Sequence, residues 1–287
     1  MQMDISVRES CIRCGHCVKV CPSQIFEQER AGAAVTLCKP ENCIGCGHCV
    51  AVCPTGSVVH EMFPPERVHP VDYAALPTPE QVELLLAVRR SNRALRKSPV
   101  PQEMLDRIVA AADRAPTASN ARQLGYTLVT DPAMLRGIAE YTLGVFGKLE
   151  KRLMNPLIRP WLSRIVPGVY RYVPVFKRLR REYAEGRDRV LRGATAVLFI
   201  HAPEANRFGT EDANLACQNA SLMAEALGVS QIYMGFVLTA IRQDKAGRLA
   251  ATLGLEGRRI CAAIAFGMPQ FRYPNYIDRE PSEVVHL

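Results

Sequence analysis

The chain has 287 residues, eleven cysteines and a formal charge of +8, from 36 basic against 28 acidic side chains. That length exceeds the usual reach of one hydrophobic core, so two domains are expected. No run of roughly eighteen uninterrupted apolar residues occurs, which excludes a membrane-spanning helix by sequence. The charge excess is local: residues 147–189 hold twelve Lys or Arg against four acids, a surplus of eight, so the remainder is balanced and no nucleic-acid partner is expected. Nine of the eleven cysteines lie within the first 53 positions. Such a density calls for a reducing compartment, and the first ten residues lack the apolar run of a signal peptide, so a cytoplasmic location is expected.

In chain order, the first pattern is Cys11-x2-Cys14-x2-Cys17-x3-Cys21-Pro22, repeated as Cys43-x2-Cys46-x2-Cys49-x3-Cys53-Pro54. Three thiolates so spaced wrap one iron-sulfur cubane, while the fourth, turned away before the proline, ligates the neighbouring one. Cys11, Cys14, Cys17 and Cys53 are thus expected to hold one 4Fe-4S cluster, and Cys43, Cys46, Cys49 and Cys21 the other. Zinc also uses C-x2-C pairs, but it explains neither the third cysteine at the same interval twice nor the crossed Cys-Pro. The stretch resembles a bacterial two-cluster ferredoxin over about residues 4 to 60, and a ferredoxin domain is assigned to 1–63. His16 and His48 occupy matching places in the two repeats and are expected to shape the cluster surroundings, with Cys38 as a spare.

Residues 64–77 carry Pro64, Pro65, Pro70 and Pro77 and read as a semi-rigid linker. Thr78 and Gln81 form a capping box with Pro79 in the first helical position, so a helix is expected to about Arg90, with Val82, Leu85 and Leu86 inward. A second helix from Pro101 presents Met104, Leu105, Ile108, Val109 and Ala112 and stops near Ala115-Pro116. A strand follows over 126–130, then a helix opening at Asp131-Pro132. In the basic insertion 147–189, Asn155-Pro156 is expected to cap a helix that Pro160 kinks and Pro167-Gly168 ends. Three uses fit this insertion: a solvated lid, a membrane surface contact, or a docking face for an electron donor. Further on, the sequence predicts a buried strand at 195–201 and a helix at 211–227 with Leu215, Leu222, Met223 and Leu227 inward. A helix around 244–253 and a strand at 260–266 follow, and then an extended arm, 268–287, that must pack on another surface.

Two one-electron clusters imply an acceptor in the larger domain. No G-x-G-x-x-G follows a candidate strand and no P-loop occurs. Arg89-Arg90-Ser91-Asn92-Arg93, by contrast, gathers three guanidinia and a hydroxyl, which suits a phosphate. Ala115-Pro116-Thr117-Ala118-Ser119-Asn120 comes next, then the 195–201 strand with its helix, the segment Gly228 to Gly235, and the closing Phe266-Gly267-Met268-Pro269. In that order these pieces resemble the FMN-dependent nitroreductase family over roughly residues 78 to 280, in the subgroup with a two-cluster ferredoxin fused in front.

The resemblance implies an α+β fold with a mixed sheet flanked by helices over 78–287, forming a homodimer with FMN at each interface. It implies that Arg89, Arg90, Ser91 and Arg93 grip the FMN phosphate and ribityl chain. Pro116, Thr117, Ser119 and Asn120 line the isoalloxazine, and Gly267 and Arg279 return to the phosphate. Where the family has Gln then Pro after this Asn, the present chain has Arg122 and Gln123, either of which reaches the pyrimidine edge. The segment 228–235 approaches flavin N5. No general acid is assigned. Cys217 and Cys261 read as small buried hydrophobes and His201 as a polar strand end.

The function so implied is an oxidoreductase in which a low-potential donor, a ferredoxin or NAD(P)H, passes electrons through two 4Fe-4S clusters to FMN. The acceptor is an electron-poor organic molecule: a nitro compound, a quinone or an activated double bond. The competing reading is an electron-transfer or redox-sensing module that serves a protein partner without small-molecule turnover.

Overall fold

A computed structural model describes residues 3–287. The chain divides into two compact units, residues up to Pro77 together with Thr117–Arg122, and Thr78–Pro116 together with Gln123–Leu287.

The first unit is built on the internal repeat. Strand β1 (Ile5–Val7) pairs antiparallel with β4 (Val58–His60), and β2 (Phe26–Glu27) with β3 (Thr36–Leu37). Each cysteine motif contributes one short helix, α1 (His16–Val20) or α2 (His48–Ala51). Both helices start after a glycine at positive φ, Gly15 at +70° and Gly47 at +77°, so the loop reverses there at no Cβ cost. Ile5, Ile25, Phe26, Val35, Val50 and Val58 close a small core that also buries Cys17 and Cys49.

In the second unit the four strands β5 (Gly125–Val129), β6 (Ala196–Pro203), β7 (Ser230–Tyr233) and β8 (Arg258–Gly267) lie in the order β5-β6-β8-β7. All three pairings are antiparallel, and the parallel component of a mixed sheet is the isolated bridge from Ser91 to Gln231. Both central strands are buried on both faces, hence their unbroken apolar runs. Val197, Phe199, Ala263 and Ala265 point into one core layer, and Ala196, Leu198, Ile200, Ala262, Ile264 and Phe266 into the other. Helices α4 (Gln102–Asp113) and α9 (Gly209–Ala226) cover the second layer, α9 through Ala213, Ala216, Ala220 and Ala224, whose small size brings its backbone close. Over the first layer lie α5 (Pro132–Leu153), α8 (Val173–Ala184), α10 (Gly235–Gln243) and α11 (Arg248–Thr252).

Several expectations change here. Helix α3 (Pro79–Val88) has the Thr78–Gln81 capping box, but none of its residues is buried, and Val82 and Leu86 are exposed. Leu215 also faces outward, because the alanine face of α9 takes the sheet. Pro160 does not kink a helix: it sits in the first turn of α6 (Arg159–Ile165), where its missing N–H costs nothing, and Pro167 likewise opens α7 (Pro167–Tyr170) instead of closing a helix. The helix expected at 244–253 is the shorter α11, and a helix the sequence does not announce, α10, precedes it from Gly235.

Candidate functional site: a paired cysteine centre and an arginine-lined cavity

The crossed repeat is visible in the electrostatic neighbours of the two buried thiols. Burial pushes Cys49 up to about 11, and Cys46, Cys43 and Cys21 add like-charge repulsion. Burial also raises Cys17, whose repelling neighbours are Cys11 and Cys53. Cys49 thus has the two preceding cysteines of its motif and Cys21 beside it, and Cys17 has Cys11 and Cys53, neighbours that a crossed pair of cubanes would use. Among the described residues no three ligand-type side chains are grouped as around a single metal ion. Two all-thiolate sets suit a pair of cubanes, whose irons are held by cysteine sulfur.

The backbone is aimed at these sulfurs with the symmetry of the repeat. Arg13 N–H donates to Cys11 Sγ and Gly45 N–H to Cys43 Sγ, both at 3.4 Å, while Ile25 N–H reaches Cys21 at 3.5 Å and Ser57 N–H reaches Cys53 at 3.2 Å. His60 breaks the symmetry. Its Nδ1 accepts from Met62 N–H at 3.2 Å, which assigns the ring proton to Nε2, 3.4 Å from Cys43 Sγ. Burial lowers its pKa, with Glu61 opposing. One repeat earlier stands Gln28, whose amide goes instead to the carbonyls of Arg13 and Ala33. His60 lies outside both cysteine motifs, so the motifs do not mark it; aligning the repeats as far as β4 exposes the His–Gln difference.

Four residues expected at the flavin belong to this first unit. Asn120 Nδ2 donates to the carbonyls of Ile44 (3.0 Å) and Gly45 (2.9 Å), between Cys43 and Cys46. Ser119, Asn120 and Arg122 all hold positive φ, +51°, +53° and +49°, and Arg122 N–H is fixed by Thr117 Oγ1 at 3.0 Å. Three non-glycine residues in the left-handed region within four positions is costly backbone that the local contacts must hold.

In the second unit the arginine motif is clamped between β7 and the chain's closing arm. Arg90 O accepts from Gln231 Nε2 at 3.1 Å, and the Arg90 guanidinium lies 5.0 Å over the Tyr273 ring. Buried Asn92 donates to Phe271 O at 3.1 Å and accepts from Ala94 N–H at 3.0 Å. Arg96 N–H donates to Met268 O at 2.8 Å, and Gln270 N–H to Ala94 O at 2.9 Å. Gly267 allows this approach, since a Cβ there would stand 2.8 Å from Leu95 Cδ1. Gln123 is held through its carbonyl by Arg258 Nη2 at 2.9 Å. Pro116 follows α4, and Arg279 lies in the exposed arm.

Arg93 lines a cavity of about 590 Å³, together with Arg192, Tyr172, Phe176, Met234 and Gly235. Burial and the nearby Arg93 guanidinium lower the pKa of Arg192, the signature of two cations held close in a partly dry place. The first turn of α10 opens on the same cavity and brings the positive end of the helix dipole to it. A ligand that is apolar and aromatic in its body and anionic at one end fits this lining, and the volume is within the ordinary range for cofactor sites. Arg192, itself at φ +60°, was missed because nothing in sequence marks it as a neighbour of Arg93. A larger cavity, about 910 Å³ between Lys97 and Thr195, contains none of the motif arginines. Cys217 is buried and its thiol is pushed up to about 12, as befits a packing residue.

Comparison with known proteins follows the same division. Residues 86–268 match the Nitroreductase family and residues 10–57 the 4Fe-4S dicluster domain. An NADH dehydrogenase of Thermus thermophilus is 45% identical over 215 residues, covering 69% of this chain and 91% of the relative. Iodotyrosine deiodinase 1 of Rattus norvegicus is 26% identical over 142 residues, 47% of this chain and 49% of that protein. Among solved structures, an FMN-bound nitroreductase from Desulfitobacterium hafniense superposes with a TM-score of 0.55 at 19% identity, over 73% of this chain and 100% of that one. Another, from Bacteroides fragilis, gives 0.52 at 16%, over 72% and 99%. At such identities the structural likeness is one of fold.

Proposed function

Since the chain belongs to the nitroreductase family and carries a two-cluster ferredoxin domain ahead of it, we propose that it is an iron-sulfur flavoprotein oxidoreductase. In this reading electrons from a low-potential donor pass by way of two 4Fe-4S clusters to FMN, for delivery to an electron-poor organic acceptor such as a nitro compound, a quinone or an activated double bond. When bound, the clusters supply one-electron transfer and the flavin couples it to two-electron hydride chemistry.

The chain's own residues divide the remaining work. Eight cysteines, in the crossed sets Cys11, Cys14, Cys17, Cys53 and Cys43, Cys46, Cys49, Cys21, hold the clusters. Arg93 and Arg192 hold the flavin's anionic end, a charge that relieves the repulsion between their guanidinia. Arg89, Arg90 and Ser91 extend that grip, and the clamp through Gln231, Asn92 and Gly267 keeps their backbone in place. Phe146, Phe176 and Met234 keep water from the ring body. The single observation carrying this reading is the coexistence, in one chain, of two crossed thiol sets and an apolar cavity ending in paired arginines.

The reading extends to a homodimer, supported by the exposed apolar side chains of α3 and of the arm. Anaerobic rapid mixing tests the activity: dithionite-reduced holoprotein is expected to be reoxidised by a quinone or a nitroaromatic within one kinetic phase for clusters and flavin together. Failure with every acceptor of these classes refutes the enzyme and leaves an electron carrier. Prompt bleaching of the flavin by NADH with the clusters still oxidised reverses the proposed order of electron entry.

A further inference from the structure

Between Lys151 and Arg181 the chain holds nine Lys or Arg and no acid. Inside that stretch Leu157, Trp161 and Ile165, four residues apart, are 86%, 76% and 71% exposed. Ile158, Val166, Val169 and Tyr172 continue the outward apolar run, while Leu162 within it is half-buried. Arg159, Arg164 and Arg171 stand exposed among them. The face is not a loose flap. Tyr170 OH donates to Leu153 O at 3.0 Å, and the Tyr172, Phe176 and Phe146 rings stack in series into the core, at 6.4 and 4.5 Å.

We propose that residues 155–172 dock this protein on an anionic bilayer surface. Aliphatic side chains and a tryptophan flanked by arginine, without one carboxylate, are what a helix lying in the headgroup region needs, and among the described residues no helix is long and apolar enough to cross a membrane. A second copy is a poor occupant of this face. In a two-fold interface the acid-free surface would meet itself, cation against cation. Anionic lipid instead answers each cation, and every Lys or Arg near such a surface strengthens binding about fivefold at moderate salt.

The same segment supplies Val169 and Tyr172 to the wall of the Arg93 cavity. Resting on the flavin reading of that cavity, docking brings it to a lipid-soluble quinone. The acceptor then takes two electrons from the low-potential donor and two protons from solvent to give the quinol.

Trp161 is the sole tryptophan, so its emission reports on this face directly. Full-length holoprotein is mixed with phosphatidylcholine vesicles, with or without phosphatidylglycerol, and followed by sedimentation and by Trp161 emission. The expected result is association with the anionic vesicles, a blue shift, and loss of both in high salt. The combined W161S/I165S variant and the R159Q/R164Q variant are each expected to weaken association by about tenfold or more. Absence of association, equal association with uncharged vesicles, or a blue shift that appears without lipid as protein concentration rises overturns the proposal, the last by assigning the face to another copy. Should a variant misfold, the salt and lipid comparison on the unaltered protein still decides. Docking is read without turnover. Vesicle binding with no reduction of any quinone, nitroaromatic or activated double bond therefore refutes the flavin-enzyme reading alone, whereas turnover of a water-soluble quinone without vesicle binding refutes docking alone.

Discussion

His201 gives the protein a calculable weakness toward acid. The imidazole is buried at the β5–β6–β8 junction, where Nδ1 accepts from Arg258 Nε at 2.6 Å and Nε2–H donates to Thr127 Oγ1 at 3.1 Å. Burial first, and the Arg258 charge second, hold its pKa down at about 4 against an ordinary 6.5. The folded state thus refuses a proton that the unfolded chain accepts, so the contribution is intact above pH 6.5 and is lost as pH falls from there toward 4. Full loss is about 3 kcal/mol; between about pH 7.5 and 5 the same two pKa values give about 2 kcal/mol. Urea unfolding of the full-length protein under anaerobic conditions, followed by far-ultraviolet circular dichroism at both pH values, measures it. His201→Gln keeps an acceptor for Arg258 and a donor for Thr127 but does not titrate, so the variant is expected to lose that much less stability on acidification. Carboxylates contribute equally to both proteins and cancel in the comparison. If wild type and His201→Gln show the same acid-induced loss, His201 is not held neutral by its site and the reasoning fails.

Two further outcomes concern the cysteine centre. With the crossed sets, Cys53→Ser should halve the iron content while sparing the cluster of the second motif, Cys21→Ser should do the reverse, and Cys38→Ser should leave iron unchanged. Electron paramagnetic resonance of the surviving cluster identifies which set remains, and the opposite pairing of losses would disprove the crossing. His60→Leu removes the Nε2–H from Cys43 Sγ and with it stabilisation of the more negative, reduced state. The potential of that one cluster is expected to fall by tens of millivolts with the other unmoved, and a redox titration showing no selective shift would refute the role.

The 4Fe-4S dicluster domain was legible because its cysteines recur at fixed intervals, and the arginine motif stood out because the phosphate recognition proposed for it needs several guanidinia together. Sequence could not show that Arg192 joins Arg93, since the two are brought together by a left-handed backbone residue and a loop packed under α8. Helix α10 was hidden for a related reason: Gly235 reads as a breaker, yet it opens the helix, where a missing side chain leaves room at the cavity. Central strands and α4 were readable from their apolar runs alone. On α9 the apolar criterion misled, because the inward face is alanine and the larger Leu215 is outside. Size does not rank burial where a helix must lie close to a sheet.

Two groups of outward apolar residues, one on α3 and the arm and one on 155–172, differ in the charges around them. α3 and the arm carry Val82, Leu84, Leu86, Phe271, Tyr276 and Ile277 together with charges of both signs, Glu80 and Glu83 on α3 ahead of Arg89 and Arg90, and Asp278 and Glu280 next to Arg279 in the arm. Mixed charge around an apolar strip can complement itself under a two-fold axis, so that surface suits the homodimer proposed above. On 155–172 the apolar residues stand among arginines alone, and a two-fold axis there would stack like charges. Equal hydrophobicity therefore does not imply the same kind of occupant: the carboxylates present on one surface and missing from the other direct the first toward a copy of the chain and the second toward a negatively charged sheet of lipid.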